Sequence, residues 1–292
     1  MKHAYLILAH NQPKLLLSLV TQLDNENNDI YIHIDAKSSL CQFAEIESVC
    51  KYSACHILEE RVPVFWGGYS IVKAERLLFA AAYSGGDYGY FHLLSGVDFP
   101  LKSNSYIQQF FEANKGLEFL GFDKIITEEH AQERVRYRYF FIDRKFPKWL
   151  NWLIPRLNGL SLRIQNLFKL YRSPSLEIKH GSQWCSLSRE AVGFLLSKSK
   201  EIDYNFKLTL IPDELYKQTI LWNSTFRENI YDKENNLASC LYEMEWGDSP
   251  GMHPYTFTLK DKERLLSSNR LFARKFSQAD MEIIKELHSY IS

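Results

Sequence analysis

The chain has 292 residues, 46% of them hydrophobic and 24% charged, the composition of an ordinary globular protein. Its 35 Lys and Arg are balanced by 35 Asp and Glu, so no net field draws it to nucleic acid or to a membrane, and any electrostatic targeting must be local. There is no run of about 18 apolar residues, so no transmembrane helix is expected.

The cysteines, Cys41, Cys50, Cys55, Cys185 and Cys240, are odd in number and form no CxxC pair or zinc-type cluster. Reduced thiols in a reducing compartment are the economical reading. The apolar stretch 4–9 is too short for the core of a secretory leader and meets His10-Asn11-Gln12 at once. The expectation is a cytoplasmic protein. Nothing reads as a Gly/Ser/Pro linker, a repeat or a low-complexity tract, so residues 1–292 are expected to form a single domain.

Residues 4–8 read as a strand buried on both faces. Pro13 suits the first turn of a helix whose apolar face is Leu15, Leu16, Leu17, Leu19, Val20 and Leu23. Ile30-Tyr31-Ile32-His33-Ile34 is a second strand ending at Asp35, which makes a βαβ unit with parallel strands. Short strands are predicted at 56–58 and 62–65, then a turn at Trp66-Gly67-Gly68. Ser70 is predicted to cap a helix running to Tyr83. A buried strand at 88–94, a loop at 95–100, a helix near 106–113 and a strand at 118–122 follow. This alternation predicts an α/β sandwich around a mostly parallel sheet. Ligands of such sheets sit beyond the carboxyl ends of the strands, which points to His10, Asp35 and the loop containing Asp98.

Residues 134–172 are strongly basic. Arg134, Arg136, Arg138, Arg144, Lys145, Lys148, Arg156, Arg163, Lys169 and Arg172 stand against the single acid Asp143. Trp149, Trp152, Leu157, Leu160, Ile164, Leu167 and Phe168 interleave with them. Pro155 should end or kink a helix, so two short helices are expected. A basic amphipathic pair suits an anionic membrane, through 144–172, or an acidic acceptor; equally, the insertion can pack on the core with its basic side in water.

No phosphate loop of the GxGxxG or GxxxxGK[ST] kind is present, and no Asp-x-Asp pair follows an apolar strand. If phosphate is handled here, protein cations must supply the charge. Two constellations qualify. Pro212-Asp213-Glu214 opens a predicted helix to Trp222, where the acids either cap the helix or supply a general base facing a cleft. Phe272-Ala273-Arg274-Lys275-Phe276 sets two cations between aromatic anchors, as a solvated pair or as a diphosphate clamp. His10 and Asp98 either form loops at strand ends or shape a donor pocket. Trp66 and Trp184 read as core or cleft-wall aromatics, and Cys185 as structural.

In order along the chain, Ala9-His10, Ile32-His33-Ile34-Asp35, Trp66-Gly67-Gly68 with Ser70, residues 94–101, Gly181-Ser182-Gln183-Trp184, Pro212-Asp213-Glu214, residues 242–246, His253-Pro254 and residues 272–276 resemble the core-2/I-branching N-acetylglucosaminyltransferase and peptide O-xylosyltransferase family. The resemblance spans Tyr5 to Phe276. It implies a GT-A-like nucleotide-sugar-binding fold and an inverting transfer of GlcNAc or xylose from a UDP-sugar to a glycan acceptor, without metal or other cofactor. By resemblance Asp35 contacts uridine, Glu214 is the catalytic base, and Lys275 with Arg274 holds the diphosphate. Trp246 packs on the acceptor sugar, with Asp213 a further substrate contact. One departure is that the family's additional phosphate-binding Arg has no counterpart in Gly251-Met252-His253-Pro254. The competing reading is a non-catalytic nucleotide-sugar-binding module docked to a membrane; a nucleotide-sugar hydrolase or a metal-dependent transferase is the third.

Overall fold

The computed structural model describes residues 1–39, 43–123, 127–150, 152–246 and 254–292. Its strands are β1 (His3–Ala9), β2 (Asn28–Ile34), β3 (Cys55–Ile57), β4 (Tyr90–Ser95), β5 (Asp98–Pro100), β6 (Phe119–Leu120), β7 (Cys185–Ser188), β8 (Tyr242–Met244) and β9 (Phe272–Arg274). The larger sheet runs β3-β2-β1-β4-β7-β6, and β5-β9-β8 form a smaller one. The first four strands of the larger sheet are mutually parallel, whereas β7 runs antiparallel to both β4 and β6. This is the expected α/β architecture with a mostly parallel sheet. β1 lies between two parallel neighbours and is apolar without alternation, because both of its faces are covered.

Helix Pro13–Leu23 starts with its proline in the first turn and buries Leu15, Leu16, Leu19, Val20 and Leu23. Helix Ser70–Gly85 packs over β1 and β2. Ser70 does not cap it as expected; it is the first helical residue. Its backbone N–H and its hydroxyl both donate to the carboxylate of Asp143, at 3.0 and 2.6 Å. The lone acid of the basic region thus sits at this helix's positive end. Gly68 leaves room for that carboxylate, since a Cβ there would lie 2.0 Å from Asp143 Oδ1.

Three other expectations are corrected. Residues 62–65 form no strand, because the N–H groups of Val62 and Val64 are taken by the side chains of His33 and Asp35 rather than by a ladder. The predicted loop 95–100 is a turn followed by β5, which pairs antiparallel with β9. The predicted helix from Pro212 divides into a 3₁₀ turn, Pro212–Glu214, and helix Tyr216–Trp222.

In the basic region Arg134 and Arg136 belong to helix Glu128–Arg136, and Pro155 begins rather than ends helix Ile154–Leu167. Part of the positive charge is spent internally. Arg136 stacks on Tyr171 at 3.9 Å, and Arg172 donates to the carbonyls of Tyr137, Asn205 and Lys207. Among the described cysteines, Cys50, Cys55, Cys185 and Cys240 form no disulfide. Cys41 and His253 lie outside the described residues.

Candidate active site

The carboxyl ends of β1, β2 and β4 deliver Ala9, His10, Asp35 and Ser95 to a cleft of about 340 Å³. The same cleft is lined by Trp66 and Gly67, by Asp123, by the segment from His180 to Trp184, by Asp213 and Glu214, by Met244 and Trp246, and by Arg274. Residues distant in sequence therefore share one cavity, as the strand-end rule anticipates.

A buried network holds the Asp213–Glu214 turn. The Glu75 carboxylate is fully buried and accepts from Lys217 Nζ at 2.6 Å, the Tyr216 hydroxyl at 2.7 Å and Gln183 Nε2 at 2.9 Å. Lys217 also donates to the carbonyl of Asp213 at 3.2 Å. Ile211, just before the turn, has φ 51°, a conformation that costs a non-glycine residue roughly 1–3 kcal/mol. Its N–H is held by the Gly67 carbonyl at 2.8 Å.

The two acids of the turn are shifted in opposite directions. Burial pushes the Asp213 carboxyl up to about 8, aided by the charges of Glu214 and Glu75. Its Oδ1 is buried without a hydrogen-bond partner. Burial also works against ionised Glu214. Nevertheless the hydrogen bond and charge of His180, together with Arg134, hold Glu214 below the ordinary carboxylate range. The contacts are 2.9 Å from His180 Nε2 and 3.1 Å from Arg134 Nη1, both to Oε2.

Arg274 is placed by strand pairing. It lies directly across from Asp98 in the β5–β9 ladder and bonds Asp98 Oδ1 at 2.6 Å, while its guanidinium stacks on Trp184 at 4.3 Å. Asp98 is fully buried and also accepts from the Ser95 N–H and the Tyr242 hydroxyl, so it holds Arg274 from below and does not itself line the cleft. Burial pushes the Asp98 carboxyl up, an effect that Arg274 only partly offsets. Lys275 is half-buried beside Arg274 but does not line the cleft. Burial and then the Arg274 charge lower its pKa.

Asp35 Oδ1 accepts from the N–H groups of Lys37 and Val64, at 2.8 and 3.3 Å. Burial lowers the His10 pKa; Asp35 opposes this, and Arg274 and Lys37 add to it. Trp184 is a cleft-wall aromatic, 6% exposed, whereas Trp66 and Trp246 stand largely exposed at 56% and 60%. The site thus gathers His10, Asp35, Trp246, Asp213, Glu214 and Arg274. Sequence reasoning missed Asp123, Arg134 and His180; the only local signal was the position of His180 immediately before Gly181-Ser182-Gln183-Trp184.

Residues 3–266 match the family model described as Branch: Core-2/I-Branching enzyme. Xylosyltransferase 2 of Canis lupus familiaris is 23% identical over 311 residues, covering 99% of this chain and 33% of its own length. Beta-glucuronosyltransferase GlcAT14A of Arabidopsis thaliana is 26% identical over 298 residues, covering 96% of this chain and 62% of its own. The chain therefore spans about a third of the xylosyltransferase and under two thirds of the plant protein. The structure of mouse xyloside xylosyltransferase 1, apo form, is a distant likeness: TM-score 0.39 and 9% identity, over 93% of this chain and 96% of that one.

The state of Asp213 has a consequence for stability. Its folded pKa lies above its unfolded value of 3.8, so between about pH 4 and about pH 8 the unfolded chain has released a proton that the folded chain retains. Asp213 contributes a stability term that falls as pH rises through this window. Denaturation measured across it is expected to show a shallower decline in Asp213→Asn than in the wild type. Parallel curves would show that Asp213 is ionised in the fold.

Proposed function

We propose that this chain, which belongs to the Core-2/I-Branching enzyme family, is an inverting, metal-independent glycosyltransferase of GT-A type that uses a UDP-sugar. The observation that carries the reading is that Glu214, held ionised, and Arg274, a fixed cation, line one cleft with Asp35 and Trp246. The acceptor hydroxyl gives its proton to Glu214 as its oxygen attacks the anomeric carbon. The bond to the β-phosphate oxygen breaks, and UDP leaves with the electron pair. Arg274 stabilises the charge that develops on it, with Lys275 behind, in place of a metal ion. A positioned base supplies roughly 10²–10⁴ in rate. Asp35 and His10 face the uridine side, and Trp246 offers an exposed ring to the acceptor sugar. The relatives' names point to xylosyl and glucuronosyl donors beside GlcNAc.

A second reading concerns the partner. We infer a peripheral contact with anionic lipid through 144–172. Helix Ile154–Leu167 buries only Gln165. Arg156, Leu160, Arg163, Ile164 and Leu167 fall on its opposite side by the 100° step of a helix, and Trp152, Phe168 and Leu170 beside it are exposed. Residues 144–172 contain no acid. Apolar side chains and cations sharing one uncovered face suit a negatively charged lipid surface.

Both readings are testable on the purified protein. With UDP-xylose, UDP-GlcNAc or UDP-glucuronic acid in EDTA it is expected to release UDP. Glu214→Gln should lower turnover at least about 100-fold while UDP affinity stays nearly intact. Unchanged turnover in that variant removes the base assignment, and activity lost in EDTA but restored by manganese removes metal independence. UDP binding without turnover of any donor favours the non-catalytic module. For the lipid contact, co-sedimentation with phosphatidylglycerol vesicles should fade with salt and with Leu160→Glu/Leu167→Glu. Equal binding to phosphatidylcholine vesicles, or indifference to salt, contradicts it.

A further inference from the structure

Both protein donors to Glu214 land on the same oxygen. His180 Nε2 and Arg134 Nη1 approach Oε2, and no hydrogen bond to Oε1 is formed among the described residues. His180 is 7% exposed, and the main chain on either side of it is tied to the main chain of the two residues whose carboxylates its ring faces. Its carbonyl accepts from the Asp123 N–H at 3.0 Å, and the next N–H, that of Gly181, donates to the Glu214 carbonyl at 2.9 Å. Gly181 allows this, since a Cβ would lie 1.8 Å from the Gly121 carbonyl oxygen.

The Nε2 edge of the ring is committed to Glu214, and the Nδ1 edge is shut off from solvent. Nε2 must carry the proton that it gives to the Glu214 carboxylate. Nδ1 is buried with no hydrogen-bond partner, and its nearest charge is Asp123 Oδ2 at 3.6 Å, beyond hydrogen-bonding distance. Neither nitrogen is left to meet a substrate hydroxyl.

We propose that His180 is a positioning residue: with Arg134 it pins Glu214 through Oε2, and so assigns proton abstraction to Oε1. This rests on Glu214 being the base. The acceptor proton passes to Oε1, and His180 keeps its own. Around Glu214 the charged and titratable groups are His180 and Arg134 in contact, Asp213 next in the chain, Asp123 behind His180, and Arg274 in the same cleft; Glu75 and Lys217 lie behind Asp213.

The test is the pH profile of kcat/KM for His180→Ala and His180→Asn. Removing a charge-assisted hydrogen bond from the base corresponds to roughly 10- to 100-fold in rate. In the alanine variant kcat is expected to fall by about that factor. UDP affinity should stay within about twofold. The acid limb should move to higher pH, because Glu214 loses the donor that lowers its pKa. His180→Asn keeps an N–H donor and should recover most of kcat. If His180→Ala no longer binds UDP, His180→Phe, which keeps a ring, takes its place. An unmoved acid limb, or a loss confined to KM or UDP affinity, overturns the proposal. Glu214→Gln separates the two ideas: full turnover there sinks the base assignment, whereas inactivity there with an unshifted His180 profile sinks only the positioning role.

Discussion

The site hangs on one buried charge. Glu75 lies on a helix that packs against the parallel strands, and its carboxylate has no access to water. An isolated ion in that place would cost several kcal/mol, so its partners are fixed by necessity. They come from the Gly181–Trp184 segment, through Gln183, and from the helix after Pro212–Glu214, through Tyr216 and Lys217. Meeting the needs of Glu75 therefore brings together the two stretches that carry His180 and Glu214. The strand ends bearing His10 and Asp35 already belong to the sheet beneath, and the cleft follows.

Within the cleft, position decides the state of each acid. Asp213 and Glu214 are neighbours in sequence, yet burial with two nearby carboxylates favours the protonated form of the first, and His180 with Arg134 favours the ionised form of the second. Arg274 is equally determined. Its place opposite Asp98 in a three-stranded sheet, and its stacking on Trp184, leave few ways for the guanidinium to turn. In the proposed reaction a preorganised cation of this kind would stabilise the departing diphosphate without reorganising at the moment of bond cleavage.

Much of this was legible in the sequence where the signal was local. The unbroken apolar run of β1 and the strand ending at Asp35 marked the parallel sheet, and Pro212 with two following acids marked a helix start, which the fold divides into a 3₁₀ turn and a separate helix. What was illegible depended on partners far away in the chain. Ser70 reads as a helix cap until Asp143 takes that task from 73 residues on. Residues 62–65 read as a strand until two side chains claim their N–H groups. Asp98 reads as a loop or donor-pocket acid at a strand end until β9 pairs with its strand and buries it. The donors to Glu214 come from 34 and 80 residues away. No spacing rule links them, and composition shows only that cations abound between 134 and 172.

The central claim is spatial: a leaving diphosphate and a proton-accepting carboxylate work across one small cavity. A crystal structure with UDP and an acceptor sugar tests it most directly. The account predicts phosphate oxygens within hydrogen-bonding reach of Arg274, uracil beside Asp35, and the acceptor hydroxyl against Oε1 of Glu214. Nucleotide bound away from Arg274, or an acceptor that never approaches Glu214, would contradict it.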